Sequence, residues 1–96
     1  MSELQSRCQL AQDLISNGAH LIDVRTEEEF QKDALSGAVN IPINILSQVP
    51  QILDKHSDII VYCGTGARSK HAHDILDSHG FNNIYDLGSL NTLQFC

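Results

Sequence analysis

Positive charge is scarce in this sequence of 96 residues: six lysines and arginines stand against twelve aspartates and glutamates, a formal net charge of −6. Such a balance argues against nucleic acid as the main partner, because binding phosphates needs a basic surface. It also weakens long-range attraction of a small anion, so an anion site must be built locally from backbone dipoles and one or two side chains. Tryptophan is absent, and no apolar run approaches the length of a membrane span. The amino end, Met1 to Arg7, has no basic region followed by an apolar stretch, so no secretory signal is visible. A cytoplasmic protein is expected; a leader removed beforehand would leave the same residues and make it periplasmic. No internal repeat, linker or low-complexity segment is present. Three cysteines, Cys8, Cys63 and Cys96, form neither a disulfide framework nor a paired-thiol redox motif. The histidines do not suggest a metal site, since His71 and His73, two apart on a helix, diverge.

What is present reads as one α/β domain over residues 1–96, with room for a single modest core. Leu4, Cys8, Ala11, Leu14 and Ile15 mark a helical stripe that Asn17-Gly18 closes, and Cys8 is expected in the core. His20 to Val24 reads as a short strand. Thr26 followed by Glu29 is a capping box that opens a short helix with Phe30 as its expected anchor. Gly37 to Pro42 is a loop feeding a short strand. Ile45 to Leu53 is helical, and Pro50 must lie in a first turn or break the segment. Ile59 to Tyr62 is the central strand. Ser69 to His79 is a helix with Ala72, Ile75, Leu76 and His79 on one face and Gly80 past its end. Asn83 to Leu87 is a last strand, and a final short helix is expected from Ser89 to Phe95. Strands alternating with helices imply a mostly parallel sheet covered on both faces. Ligands of such sheets bind beyond the carboxyl ends of the strands, where Asp23-Val24-Arg25 and Cys63 would share one crevice.

The stretch from Ile59 to Ser69 carries the chemistry. An apolar run ends at Cys63, a glycine-punctuated loop follows, and a helix begins at once. The helix would point its amino end, with its N–H groups and positive dipole, at one sulfur, a setting that stabilises a thiolate and an anion brought to it. A buried cysteine is ordinarily a small hydrophobe, and the glycines of a tight turn can serve geometry alone. Here strand, glycine loop, Arg68 and helix occur in the order that a reactive Cys63 requires. Gly64 and Gly66 are expected to remove side chains where the backbone curls around a ligand and to tolerate the left-handed angles such a curl requires.

Asp23-Val24-Arg25, the Glu28-Glu29-Phe30 helix, Gly37-Ala38-Val39-Asn40-Ile41-Pro42, Val61-Tyr62-Cys63 with Gly66 and Arg68-Ser69, and Gly80-Phe81 before Ile84-Tyr85 together resemble the rhodanese family, and more narrowly its small single-domain bacterial thiosulfate sulfurtransferases. The resemblance runs from about Leu21 to Gly88, five motifs in the right order. It implies a three-layer rhodanese-like fold and a sulfur shuttle in which Cys63 takes the outer sulfur of thiosulfate, becomes a persulfide and yields it to cyanide or a thiol. Gly64, Thr65, Gly66, Ala67, Arg68 and Ser69 would form the substrate-binding loop. It implies no metal or organic cofactor, a small anionic donor, a thiol or protein acceptor, and a monomer.

Alternatives stand beside it. A partner-charged persulfide carrier, or a binding module inactive with free thiosulfate, would need the same loop. A cysteine phosphatase is a weaker rival, because such enzymes place one residue more between cysteine and arginine than the four between Cys63 and Arg68. Arg68 either points at the substrate's sulfonate or pairs with a carboxylate behind the loop, for which Asp23 is the candidate. Arg25 either helps to bind an anion or ties the crevice edges together, the latter favoured. Lys70 reads as a solvated surface residue and Cys96 as an exposed terminal thiol. The family's frequent histidine and isoleucine before the Gly-Ala pair are replaced by Ala34 and Leu35. Its closing pair of glycines and tryptophan survives only as Gly88-Ser89-Leu90-Asn91.

Overall fold

The computed structural model describes residues 3–64 and 67–90, with the backbone alone for 3–5 and 7. Its elements are α1 (Glu3–Ser16), β1 (His20–Asp23), α2 (Glu27–Lys32), β2 (Val39–Asn40), a 3₁₀ helix (Ile43–Gln51), β3 (Asp58–Cys63), α3 (Ala67–Ser78) and β4 (Asn83–Ser89). All four strands are parallel, in the order β2-β1-β3-β4.

The central strand β3 explains the layers. Its side chains alternate between the two faces of the sheet, so a strand covered on both sides must be apolar throughout. Ile59, Val61 and Cys63 point to one core with Ala72 and Leu76 of α3, Leu46 and Val49 of the 3₁₀ helix, and Phe81. Ile60 and Tyr62 point to the other, with Leu21, Leu87 and Leu90, against which Ala11 and Leu14 of α1 pack. This is the expected three-layer arrangement. It leaves the carboxyl ends of β1 and β3, at Asp23 and Cys63, side by side, since Asp23 pairs with Tyr62.

Local chemistry sets the boundaries. Thr26 and Glu29 form the capping box reciprocally, Thr26 Oγ1 accepting from the Glu29 N–H and Glu29 Oε1 from the Thr26 N–H. Helix α3 ends where Gly80 takes φ +91°, an angle L side chains resist, and the Phe81 N–H turns back to the carbonyl of Leu76.

Several expectations need correction. Phe30 is only partly buried, and α2 has no fully buried residue. Pro50 neither begins nor breaks its segment but lies near the end of a 3₁₀ helix, which forgoes one N–H there and still closes with the Ile52 N–H on the Val49 carbonyl. The period is legible afterwards: Ile43, Leu46 and Val49 are three apart, the spacing at which 3₁₀ side chains eclipse, and all three meet the core. Cys8 is half-buried and disulfide-bonded rather than a core hydrophobe, while Leu10 and Ile15 of the same helix stay exposed. His79 is exposed, off the apolar face of α3. Ser89 closes β4, Leu90 directly after it is helical, and the rest of the helix expected there, with Cys96, lies outside the described residues.

Phe81, 1% exposed, fills the core between α3 and the sheet. Phe81→Ala is expected to cost about 3–5 kcal/mol through lost burial and a residual cavity. Urea unfolding should show a lower midpoint at unchanged slope.

Candidate functional site

The site grows from the ends of β1 and β3. Cys63 is the last residue of β3, carries a thiol outside any disulfide, and has no solvent exposure. Helix α3 starts four residues later at Ala67, so the connection is too short to carry its amino end away from the sulfur. Thr65 and Gly66 of this connection lie outside the described residues. Ala67 is exposed in the first turn of α3 and Ser69 is fully buried.

Beside Cys63 the chain continues from β1 into Arg25, which is 4% exposed and saturated with acceptors. Its Nε lies 3.0 Å from both carboxylate oxygens of Asp23, and its Nη2 lies 2.7 Å from Asp23 Oδ2. Nη2 also donates to the Asp33 carbonyl, and Nη1 reaches Asp33 Oδ1 at 3.3 Å. Asn40 of β2 holds this segment from the other side, its Nδ2 donating to the carbonyls of Asp23 (3.1 Å) and Arg25 (2.9 Å). Hydrogen bonding to Asp23 outweighs desolvation and keeps the guanidinium above its ordinary pKa, charged at any working pH. Of the two readings of Arg25, the structural tie is the one seen.

Arg68, in the first turn of α3, turns toward α2 rather than toward Asp23. Its Nη1 and Nη2 meet Glu29 Oε1 and Oε2 at 2.7 and 2.9 Å, a planar fork. The carboxylate behind the loop is therefore Glu29, and Asp23 serves Arg25 instead, because Arg25 sits two residues from it on the same strand end. Hydrogen bonding to Arg68 lowers the pKa of Glu29 to about 2, and that of Arg68 rises in return.

These groups surround a cavity of about 330 Å³ lined by Arg25, Glu29, Lys32, Asp33, Arg68, Leu90 and Gly64. Gly64 lies where they converge. A Cβ built on it would stand 3.5 Å from Arg68 Nη2 and 3.8 Å from both Arg25 Cδ and Glu29 Oε2, ordinary contact distances. Its φ is not positive. Of the two roles expected of Gly64, the left-handed angle is not taken, and the missing side chain remains: a Cβ here would touch Arg68, Arg25 and Glu29. Ser89, at the end of β4, donates its hydroxyl to the Gly64 carbonyl and braces the loop from behind. Gly88 before it takes φ +87°, and its N–H bonds Asp86 Oδ1.

A family profile for the Rhodanese-like domain matches residues 7–92. The chain belongs to the rhodanese family. Thiosulfate sulfurtransferase PspE of Escherichia coli (strain K12) is 33% identical over 76 residues, covering 77% of this chain and 73% of the relative. Protein HIGH ARSENIC CONTENT 1, mitochondrial, of Arabidopsis thaliana is 32% identical over 90 residues, and this chain spans only 53% of its length. A solved rhodanese with anions from E. coli superposes with a TM-score of 0.73 at 32% identity, over 78% of this chain and 91% of that one.

In this rhodanese the residues singled out by sequence, Asp23, Arg25, Cys63, Gly64 and Arg68, do meet at one end of the sheet. Glu29, Lys32, Asp33, Asn40 and Ser89 were missed as parts of it. Glu29 was legible as a helix cap and, like Asn40, as a motif letter, and Ser89 as the start of an expected helix and a departure from the closing segment.

Two outcomes follow from this geometry. Because the folded pKa of Glu29 lies below its ordinary value of 4.5, the Arg68 contact stabilises the protein above that value, and the contribution is lost as pH falls toward about 2. Glu29→Gln should therefore lower Tm at neutral pH by a modest amount, about 1 kcal/mol or less for a pair more than a third exposed, with the difference vanishing through that acid window. Gly64→Ala should leave Tm unchanged or slightly higher, since the backbone angle suits alanine and the unfolded chain loses freedom.

Proposed function

We propose that this rhodanese is a thiosulfate sulfurtransferase whose persulfide carrier is Cys63. The observation that carries the reading is the placement of Cys63 at the end of β3, with α3 beginning four residues on and the next residue, Gly64, lining a cavity edged by three cationic side chains. The relative at 33% identity that bears the name thiosulfate sulfurtransferase supports it.

In the proposed reaction the Cys63 thiolate attacks the outer sulfur of thiosulfate. A new S–S bond forms to Cys63, the S–S bond within the donor breaks, and its electron pair leaves with sulfite. The resulting persulfide anion is then attacked at its outer sulfur by cyanide or a thiol, which departs with that sulfur and returns Cys63 as thiolate. Main-chain N–H groups between Gly64 and Ser69, together with the amino end of α3, would hold the negative charge on the transferred sulfur. The sulfur travels on the protein, so the scheme requires neither metal nor organic cofactor. Arg68 would act through the loop, clamped by Glu29 rather than extended to the donor.

A second reading, a carrier charged by a partner protein, is favoured by one observation. Both arginines of the cavity are already neutralised by carboxylates, which weakens the pull on a free dianion.

Intact mass after incubation with thiosulfate separates the two. Wild-type protein should gain one sulfur, about 32 mass units, which peptide mapping locates on Cys63 and cyanide removes; Cys63→Ser should gain none and remain folded. A folded wild-type protein that gains no sulfur would reject thiosulfate as donor in favour of the partner-charged carrier.

A further inference from the structure

We propose that Lys32 is the residue that holds the anionic end of the sulfur donor, an inference that rests on the sulfurtransferase reading above. It follows from how the charges of the cavity are spent. Arg25 is engaged by Asp23 and Asp33, and Arg68 by both oxygens of Glu29. Lys32 lines the same cavity, is exposed, and makes no ion pair among the described residues. It is the one cation there whose charge is not already met by a carboxylate.

The chemistry of the donor places its charge on Lys32's side. Thiosulfate must present its outer sulfur to Cys63, which has no solvent exposure, so the sulfonate trails outward into the cavity. In a chain of net charge −6, nothing at long range draws a dianion there. An ammonium on a flexible four-carbon stem can meet sulfonate oxygens at the mouth and need not order itself beforehand. Gly64 lines the same cavity, and a Cβ there would touch Arg25, Glu29 and Arg68. The competing account of Lys32 is helical: it sits in the last turn of α2, where a cation complements the dipole. That role would appear in stability and would treat all reactants alike.

The test separates charging from discharge in wild type, Lys32→Gln, Lys32→Glu and Lys32→Arg. Charging of Cys63 is followed by quenched-flow mass at sub-saturating thiosulfate, and discharge by an uncharged water-soluble phosphine, which takes the outer sulfur as phosphine sulfide and returns the thiolate. Lys32→Gln is expected to slow charging by about threefold to fivefold, the range an exposed ion pair supports, while discharge is unchanged. Lys32→Glu should slow charging further, and Lys32→Arg should restore it. Added salt should slow charging of the wild type and have much less effect on Lys32→Gln. Equal charging rates in wild type and Lys32→Gln at low salt would overturn the inference and leave the sulfurtransferase reading standing. Equal slowing of charging and discharge, with a lowered Tm, would overturn it in favour of the helical role. Failure of the wild type itself to charge would remove the sulfurtransferase reading and this inference with it.

Discussion

A guanidinium with almost no access to water is the point on which the active end of this protein depends. Arg25 joins the end of β1, through Asp23, to the turn after α2, through Asp33, and its guanidinium lies 6.0 Å from the centre of the Tyr62 ring on β3. A buried pair of this kind contributes little net stability, because desolvation of both ions offsets most of their attraction. Its importance is positional. Removing one partner would strand a charge in the core, a loss of about 3–5 kcal/mol, so these segments are held to a single arrangement. Tyr62 extends the same network, its hydroxyl accepting from the Leu35 N–H while burial keeps its pKa above the ordinary value. The strand that delivers Cys63 and the segment that delivers Lys32 and Asp33 are thereby fixed relative to one another.

Helix α2 shows what such a scaffold does. It buries no residue and is only six residues long, so neither packing nor intrinsic propensity would keep it ordered. Charges and caps hold it instead: the Thr26–Glu29 box at one end, Arg68 from across the cavity, and Arg25 on Asp33 just past the other end. A wall fixed by ions at a partly solvated surface responds to salt and acid, whereas the apolar layers beneath α3 and α1 do not. The loop and its cover therefore differ in kind. Cys63 belongs to the core of the domain, and the side chains opposite it belong to an electrostatic lattice laid over that core.

This division also explains what was legible in the sequence. Strands and helices fixed by local punctuation were readable, as with Thr26 and Glu29 at the start of α2 or Gly80 after α3, because their causes lie within a few residues. The apolar run from Ile59 to Tyr62 named the central strand, since burial on both faces leaves no polar alternation to mislead. Partners set by tertiary geometry were not readable. Arg68 and Glu29 are 39 residues apart, and three acidic residues in the first turn of α2 look alike until the helix is placed. Pro50 was misjudged because an α-helical period was assumed where the repeat was three. Gly64 was legible in part: the want of a side chain follows from the loop's pattern, whereas the left-handed angle expected with it depends on a loop path that the sequence does not show.

The altered closing segment shows how the family pattern can be departed from without disturbing the loop. Where the frequent pattern has a second glycine, this chain has Ser89, and its hydroxyl makes a bond to the Gly64 carbonyl that no glycine could make. Where a tryptophan would follow, Leu90 is buried against Leu21, Tyr62 and Leu87 and also borders the cavity. A leucine keeps the apolar seal of that core while filling less volume than an indole. Ser89 thus holds the main chain at Gly64, while Leu90 and Gly64 themselves line the cavity. A chain built this way can alter what its cavity admits without moving the cysteine.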